Sequence, residues 1–81
     1  MTGGKRAMTV FLDTKGLNCP LPVLKAQKAL KDLAPGDVLE VAATDPGSVK
    51  DFEAFCEATE NELLESLAED GTYTFRIRKS G

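Results

Sequence analysis

The sequence predicts an α/β fold: a two-layer α/β sandwich of order β-α-β-α-β-β, with a four-stranded mixed sheet and two helices on one face. Two amphipathic helical patterns alternate with short apolar strand patterns, which is typical of layered α/β domains. A strand, a helix and a second strand in succession favour parallel pairing with a right-handed crossover. Finally, two strand patterns flank Glu69-Asp70-Gly71, which indicates a closing hairpin.

The first half of the chain supplies a strand, a helix and a second strand. Residues 8–13 (MTVFLD) are rich in apolar and β-branched residues and predict a strand, and a helix is expected from about Pro20 to Leu33. The stop signal APGD at residues 34–37 separates this helix from a strand at residues 38–43, VLEVAA. The apolar stripe of the helix consists of Val23, Ala26, Leu30, Leu33 and Ala34.

The second half repeats the pattern and ends in the hairpin. A helix is predicted from about Ser48 to Glu60, and Asn61 is a plausible left-handed residue at its end. Strands are predicted over residues 63–68 and 72–79. The inward stripe of this helix consists of Val49, Phe52, Phe55, Cys56 and Thr59.

Composition limits the classes of function. The 81 residues fit one domain over residues 8–81 after a flexible lead-in at 1–7, and the net charge of −3 disfavours bulk binding to nucleic acid. No apolar run is long enough to span a membrane. Two cysteines without a secretory leader predict free thiols in the reducing cytoplasm, and the absence of histidine excludes Cys-His, Ser-His-Asp and His-based metal chemistry.

The segment NCPLP carries the candidate reactive residue, Cys19. With Cys19 as N-cap, Pro20 is the first helical residue and Pro22 the third, where neither ring removes a helical hydrogen bond. Leu21 and Val23 are then the free N–H donors of the first turn. The positive end of the helix dipole, with help from Lys15 and Lys25, is expected to lower the pKa of the thiol modestly. Cys56, in mid-stripe between two phenylalanines, is expected to be a structural core residue.

Two further features surround this segment. Leu21 and Leu24 fall outside the core stripe on the same side as Lys25 and Lys28, which suggests either scattered surface leucines or a docking patch for a protein with an acidic rim. Asp45, in the TDPGS loop, is expected to form a turn and cap the second helix, and to lie at the same end of the sheet as Cys19.

The stretches LDTKGLNCPLPVLKAQKAL and PGDVLEVAATDPGSVKDFEAFCEAT, with the terminal TYTFRIRK, resemble the TusA (SirA-like) sulfur-carrier family from Leu12 to Lys79. The resemblance implies that Cys19 carries sulfur as a persulfide, received from a cysteine desulfurase or rhodanese-type donor and delivered to an acceptor protein, without a metal or organic cofactor. Outlets in the family include tRNA 2-thiouridine formation, molybdenum cofactor sulfur supply and sulfur oxidation. Asn61 departs from the Gly or His of many members, but suits the same turn.

Other interpretations of the same residues stay open at this point. Cys19 could be purely structural in a non-catalytic regulatory or protein-interaction module of the same fold, and the absence of a histidine base is consistent with that interpretation. A thiol redox switch would need a resolving cysteine near Cys19, where Cys56 is badly placed. An RNA-binding face at Arg76 and Arg78 is disfavoured by the acidic pI of about 4.8.

Overall fold

The computed structural model describes residues 8–80 and contains the six predicted elements in the predicted order. The predicted lead-in, residues 1–7, lies outside the described residues. The elements are β1 (Thr9–Asp13), α1 (Leu21–Lys31), β2 (Val38–Ala43), α2 (Ser48–Thr59), β3 (Glu62–Glu69) and β4 (Thr72–Arg78).

The four strands form one mixed sheet in the order β1-β2-β4-β3. β1 and β2 are parallel, whereas β4 runs antiparallel to both β2 and β3. Asp70 and Gly71 both have positive φ in the β3–β4 turn, as a tight two-residue hairpin requires. Because β1 and β2 are parallel, the loops that lead from them into α1 and α2 leave the same end of the sheet.

The core lies between the sheet and the two helices. Leu39 and Val41 of β2 are completely buried, as is Phe52 of α2, whose ring stacks on Phe75 of β4 with centroids 4.5 Å apart. Ala26 and Leu30 bring α1 into the same cluster. Burying large apolar side chains is the main favourable term in a domain of this size, so both helices are fixed against one sheet face.

The helix ends differ from the sequence prediction in detail. α1 begins at Leu21, one residue later than expected, because the carbonyl of Pro20 is the first acceptor of the helix and receives the N–H of Leu24 at 3.1 Å. Ala34 is exposed rather than in the core, since α1 ends at Lys31.

The second helix ends in a left-handed residue, but that residue is Glu60 and not Asn61. Asn61 is engaged elsewhere: its side-chain oxygen accepts the backbone N–H of Ser80 at 3.0 Å, and its amide donates to Thr59 Oγ1 at 2.9 Å. Asn61 thus ties the end of α2 to the end of β4.

The sheet face that carries no helix presents ion pairs across its strands. Arg76 lies 3.8 Å from Glu40 of β2 and 3.5 Å from Glu65 of β3, and Arg78 pairs with Glu62. Each arginine therefore already has a carboxylate partner, which favours a solvated strand face over an RNA-contacting one. Within residues 8–80, neither helix is long and apolar enough to cross a membrane.

Candidate functional site

The loop from β1 to α1 presents Cys19 to solvent at the predicted end of the sheet. Its start is held firmly, because both the N–H and the hydroxyl of buried Thr14 donate to the carbonyl of Ala42, at 2.8 and 2.7 Å. The N–H of Gly16 donates to Thr44 Oγ1 at 2.9 Å. These contacts fasten the loop to the end of β2, so Cys19 is exposed on an anchored stretch of backbone.

Asp45 connects the Cys19 loop to the start of α2. One carboxylate oxygen accepts the backbone N–H of Cys19 at 2.6 Å, and the other accepts the N–H of Gly47 at 2.9 Å. These two donors hold the pKa of the Asp45 carboxyl below its ordinary value. Asp45 lies in the turn before α2, where its carbonyl accepts the N–H of Ser48 at 3.0 Å. The predicted side-chain cap is wrong, because the carboxylate of Asp45 makes no cap bond to α2 and is engaged by Cys19 and Gly47.

Asp51 is the functional candidate that sequence reasoning missed. It lies in the first turn of α2, and the Cys19 thiol donates a hydrogen bond to its carboxylate. The two loops are close enough for this contact: a Cβ placed on Gly47, just before α2, would lie 3.6 Å from the Cys19 Cβ. Cys19 therefore contacts two carboxylates: Asp45 accepts a hydrogen bond from its backbone N–H, and Asp51 accepts one from its thiol.

These carboxylates reverse the electrostatic prediction for the thiol. The hydrogen bond to Asp51 is the main cause that raises the pKa of Cys19, followed by desolvation and by the negative charges of Asp51 and Asp45. The predicted lowering by the helix dipole, Lys15 and Lys25 is wrong in direction. A dipole at the helix start acts weakly on an exposed group, whereas a carboxylate that accepts the S–H favours the protonated form directly.

The residues that follow Cys19 at the start of α1 differ in geometry from the prediction. The N-cap of α1 is Pro20 and not Cys19. The peptide bond that joins Cys19 to Pro20 is cis. The N–H of Leu21 donates to the carbonyl of Asn18 at 2.8 Å, so it is not free as predicted. Pro22 is buried in the first turn, and half-buried Val23 packs against the core, so both attach the helix start to the domain.

The predicted docking patch is exposed on α1. Leu21 and Leu24 are 45% and 52% exposed. Lys25 and Lys28 are exposed beside them. Lys28 lines two shallow clefts, one shared with Leu24 and the other with Lys25. The patch therefore combines apolar area and positive charge on α1, the helix that follows Cys19, with two shallow clefts along that helix.

The second cysteine has no part in this site. Cys56 is 4% exposed in the core, and neither it nor Cys19 forms a disulfide. Its predicted structural position is confirmed. Among residues 8–80, no three cysteine, aspartate or glutamate side chains are grouped so that they could hold a metal ion.

The chain that displays this exposed thiol on a two-layer α/β sandwich matches a known protein family. Residues 10–79 match the family described as sulfurtransferase TusA. The chain belongs to this family, and the resemblance seen in the sequence is confirmed.

Individual relatives agree with the family match. The chain is 59% identical to the sulfur carrier protein TusA of Allochromatium vinosum over 69 residues, which cover 85% of this chain and 91% of that protein. It is 45% identical to the TusA of Pseudomonas aeruginosa over 73 residues, or 90% and 92% of the two chains. A crystal structure of a SirA-like protein from Desulfitobacterium hafniense superposes with a TM-score of 0.79 at 28% identity, covering 89% of this chain and 99% of that one. The predicted fold class is thereby confirmed.

Proposed function

We propose that this protein is a persulfide sulfur carrier that receives sulfur on Cys19 from a cysteine desulfurase or rhodanese-like donor and delivers it to an acceptor protein. The observation that carries the proposal is the exposed thiol of Cys19 on a loop fastened at both ends by hydrogen bonds to the β2 end of the sheet. Family membership supports the same chemistry. Free thiols suit a reducing compartment, and we place the relay in the cytoplasm.

Loading is a sulfur exchange without net oxidation. The Cys19 thiolate attacks the terminal sulfur of a donor persulfide, a new S–S bond forms, and the S–S bond within the donor breaks. The donor leaves as a thiolate and takes up the proton that Cys19 lost. Delivery is the same reaction in reverse order, with an acceptor thiolate attacking the outer sulfur of Cys19–S–SH. An exposed side chain is required because both partners must reach the sulfur with their own sulfur atoms.

Intact-mass analysis after incubation with cysteine and a cysteine desulfurase tests this proposal. We expect the wild-type chain to gain the mass of one sulfur atom, which dithiothreitol removes. Cys19→Ser should gain nothing, whereas the matched control Cys56→Ser should load like wild type because residue 56 is buried. Equal loading of Cys19→Ser and wild type, or no loading of the wild type by a cysteine desulfurase or by a rhodanese-like donor used in the same assay, would instead favour the non-catalytic interaction module.

We further propose that Leu21, Leu24, Lys25 and Lys28 form the docking patch for these partners. The leucines provide apolar area that becomes buried on binding, and the lysines favour a partner surface with an acidic rim. The patch starts two residues after Cys19 in the chain, so a partner seated on it would have its sulfur-carrying loop near the thiol.

Charge reversal at Lys25 and Lys28 tests the docking patch. The double substitution Lys25→Glu and Lys28→Glu should weaken binding to an immobilised cysteine desulfurase by about tenfold or more, chiefly through slower association, because like charges then face each other. Both lysines are exposed, so the thermal unfolding midpoint should stay near that of wild type. Lys50→Glu, an exposed reversal on α2, is the control that should bind nearly normally. Unchanged binding and transfer in the double variant would remove the patch from the mechanism.

A further inference from the structure

The hydrogen bond between the Cys19 sulfur and Asp51 can form in the empty carrier, Cys19–SH, but not from the same sulfur in the loaded carrier, Cys19–S–SH. In the empty carrier, the Cys19 S–H donates to the Asp51 carboxylate. In the loaded carrier the same sulfur is bonded to a second sulfur and has no proton to donate. The contact therefore exists in only one of the two states.

From this geometry we infer that Asp51 is a positioning residue that holds the proton on the empty carrier and thereby biases the loaded carrier toward giving up its sulfur. The inference rests on the proposed function, because it concerns the balance between Cys19–SH and Cys19–S–SH. An interaction made in one state only shifts an equilibrium toward that state by the free energy of the interaction.

A role for Asp51 as general base fits the geometry less well. A carboxylate is a much weaker base than a thiolate, so a proton shared between them stays on the sulfur. The thiol, unlike the thiolate, is a poor nucleophile. Asp51 therefore protects an empty, exposed cysteine from adventitious electrophiles until a donor protein approaches and displaces the contact.

Electrostatics in the loaded state act in the same direction. A persulfide S–H is more acidic than a thiol S–H, so the outer sulfur of Cys19–S–SH is more readily anionic. It lies about 2 Å from Sγ, within reach of the same carboxylates. The two carboxylate oxygens of Asp45 accept hydrogen bonds from the N–H groups of Cys19 and Gly47, and these donors partly compensate its negative charge. Asp51 accepts only from the thiol among the hydrogen bonds described, so its repulsion of a bound persulfide is the less compensated of the two.

The charged groups that act on the thiol come from two elements. Asp51 of α2 and Asp45 of the β2–α2 loop both favour the protonated sulfur. Lys15 in the Cys19 loop and Lys25 on α1 do not offset them. Removing the Asp51 charge should therefore lower the pKa of Cys19 and increase the thiolate fraction at neutral pH.

The first experiment is the pH profile of alkylation of Cys19 by iodoacetamide, followed by peptide mass. In wild type the midpoint should lie above that of free cysteine. In Asp51→Asn it should shift down, so that the rate at neutral pH rises about threefold or more, as expected for loss of a hydrogen bond to a charged acceptor. Glu53→Gln is the matched control, because it removes one charge from an exposed position of the same helix and should follow the wild-type profile.

The second experiment measures the equilibrium of sulfur exchange with glutathione persulfide. In this exchange Cys19–SH and GS–SH react to give Cys19–S–SH and GSH. Intact mass at equilibrium gives the loaded fraction. The exchange constant of Asp51→Asn should exceed that of wild type by about threefold or more, and Glu53→Gln should not change it. Equal constants for Asp51→Asn and wild type would overturn the inference, even if the alkylation profile shifts.

The two readouts keep the inference separate from the proposed function. Failure of every variant to load would count against the carrier proposal, whereas an unshifted alkylation profile in Asp51→Asn would count against the role of Asp51 alone. If Asp51→Asn does not fold, the wild-type profile still decides: a Cys19 midpoint at or below that of free cysteine would overturn the inference.

Discussion

Cys19 and Cys56 both have a raised pKa, yet the two thiols occupy opposite environments. Cys56 is buried in the core, where desolvation raises its pKa to about 11. Cys19 is exposed, and its pKa is raised mainly because its S–H donates to a carboxylate. A hydrogen bond to an exposed carboxylate breaks when a partner arrives, but burial persists as long as the domain is folded. Access, rather than acidity, thus separates Cys19, which we propose carries the sulfur, from Cys56 in the core.

The largest expected effect of this difference is on alkylation of the native protein. At about pH 8.5, iodoacetamide should label Cys19 at least about a hundredfold faster than Cys56, because Cys56 reacts only when α2 opens or the domain unfolds. Peptide mass spectrometry over a time course measures both rates in one sample.

Concentrated guanidinium chloride supplies the control for that experiment. In the unfolded chain both cysteines should react at similar rates, since both environments are lost. Comparable native rates for the two residues would show that exposure does not distinguish them, and would weaken the assignment of Cys19 as the sulfur-bearing residue.

The sequence predicted the positions of both cysteines because helical periodicity reports burial. Cys56 falls on the apolar stripe with Phe52, whereas Cys19 precedes the helical pattern in a Gly- and Asn-containing loop. The parallel pairing of β1 and β2 also follows from local patterns, and it correctly brings Cys19 and Asp45 to one end of the sheet. These features depend on spacing along one element or on the order of elements.

The electrostatic environment of Cys19 could not be predicted in the same way. An acidic residue in the first turn of a helix is common, since it stabilises the helix dipole, and Asp51 gave no separate signal. Its contact with the thiol depends on how closely the β1–α1 loop approaches the start of α2, which is a tertiary property. The start of α1 was missed by one residue for a similar reason, since two prolines suit several positions near a helix start.

A smaller effect should appear in the pH dependence of stability, and it belongs to Cys56. The folded-state pKa of Cys56 is raised from the ordinary 9.0 to about 11, so the unfolded chain loses this proton at lower pH than the folded one. The contribution is fully present below pH 9 and is lost as the pH rises through 11. Over that window the free energy of unfolding should fall by at most about 3 kcal/mol through this residue, because two pKa units correspond to about that much free energy.

Urea denaturation of Cys56→Ala, compared with wild type and Cys19→Ala, isolates the contribution of Cys56 to the pH dependence of the free energy of unfolding. Cys56→Ala should be about 1 kcal/mol less stable than wild type at about pH 8, because a buried sulfur is lost, and this difference should close and then reverse as the pH approaches 11, because only wild type loses the contribution of the Cys56 thiol. Cys19→Ala should leave the steeper wild-type decline largely in place, because Cys19 is exposed and solvent screens its contact with Asp51. A gap that stays constant from pH 8 to 11 would mean that the folded domain does not shield the Cys56 thiol, and the contrast with Cys19 would then rest on the Asp51 contact alone.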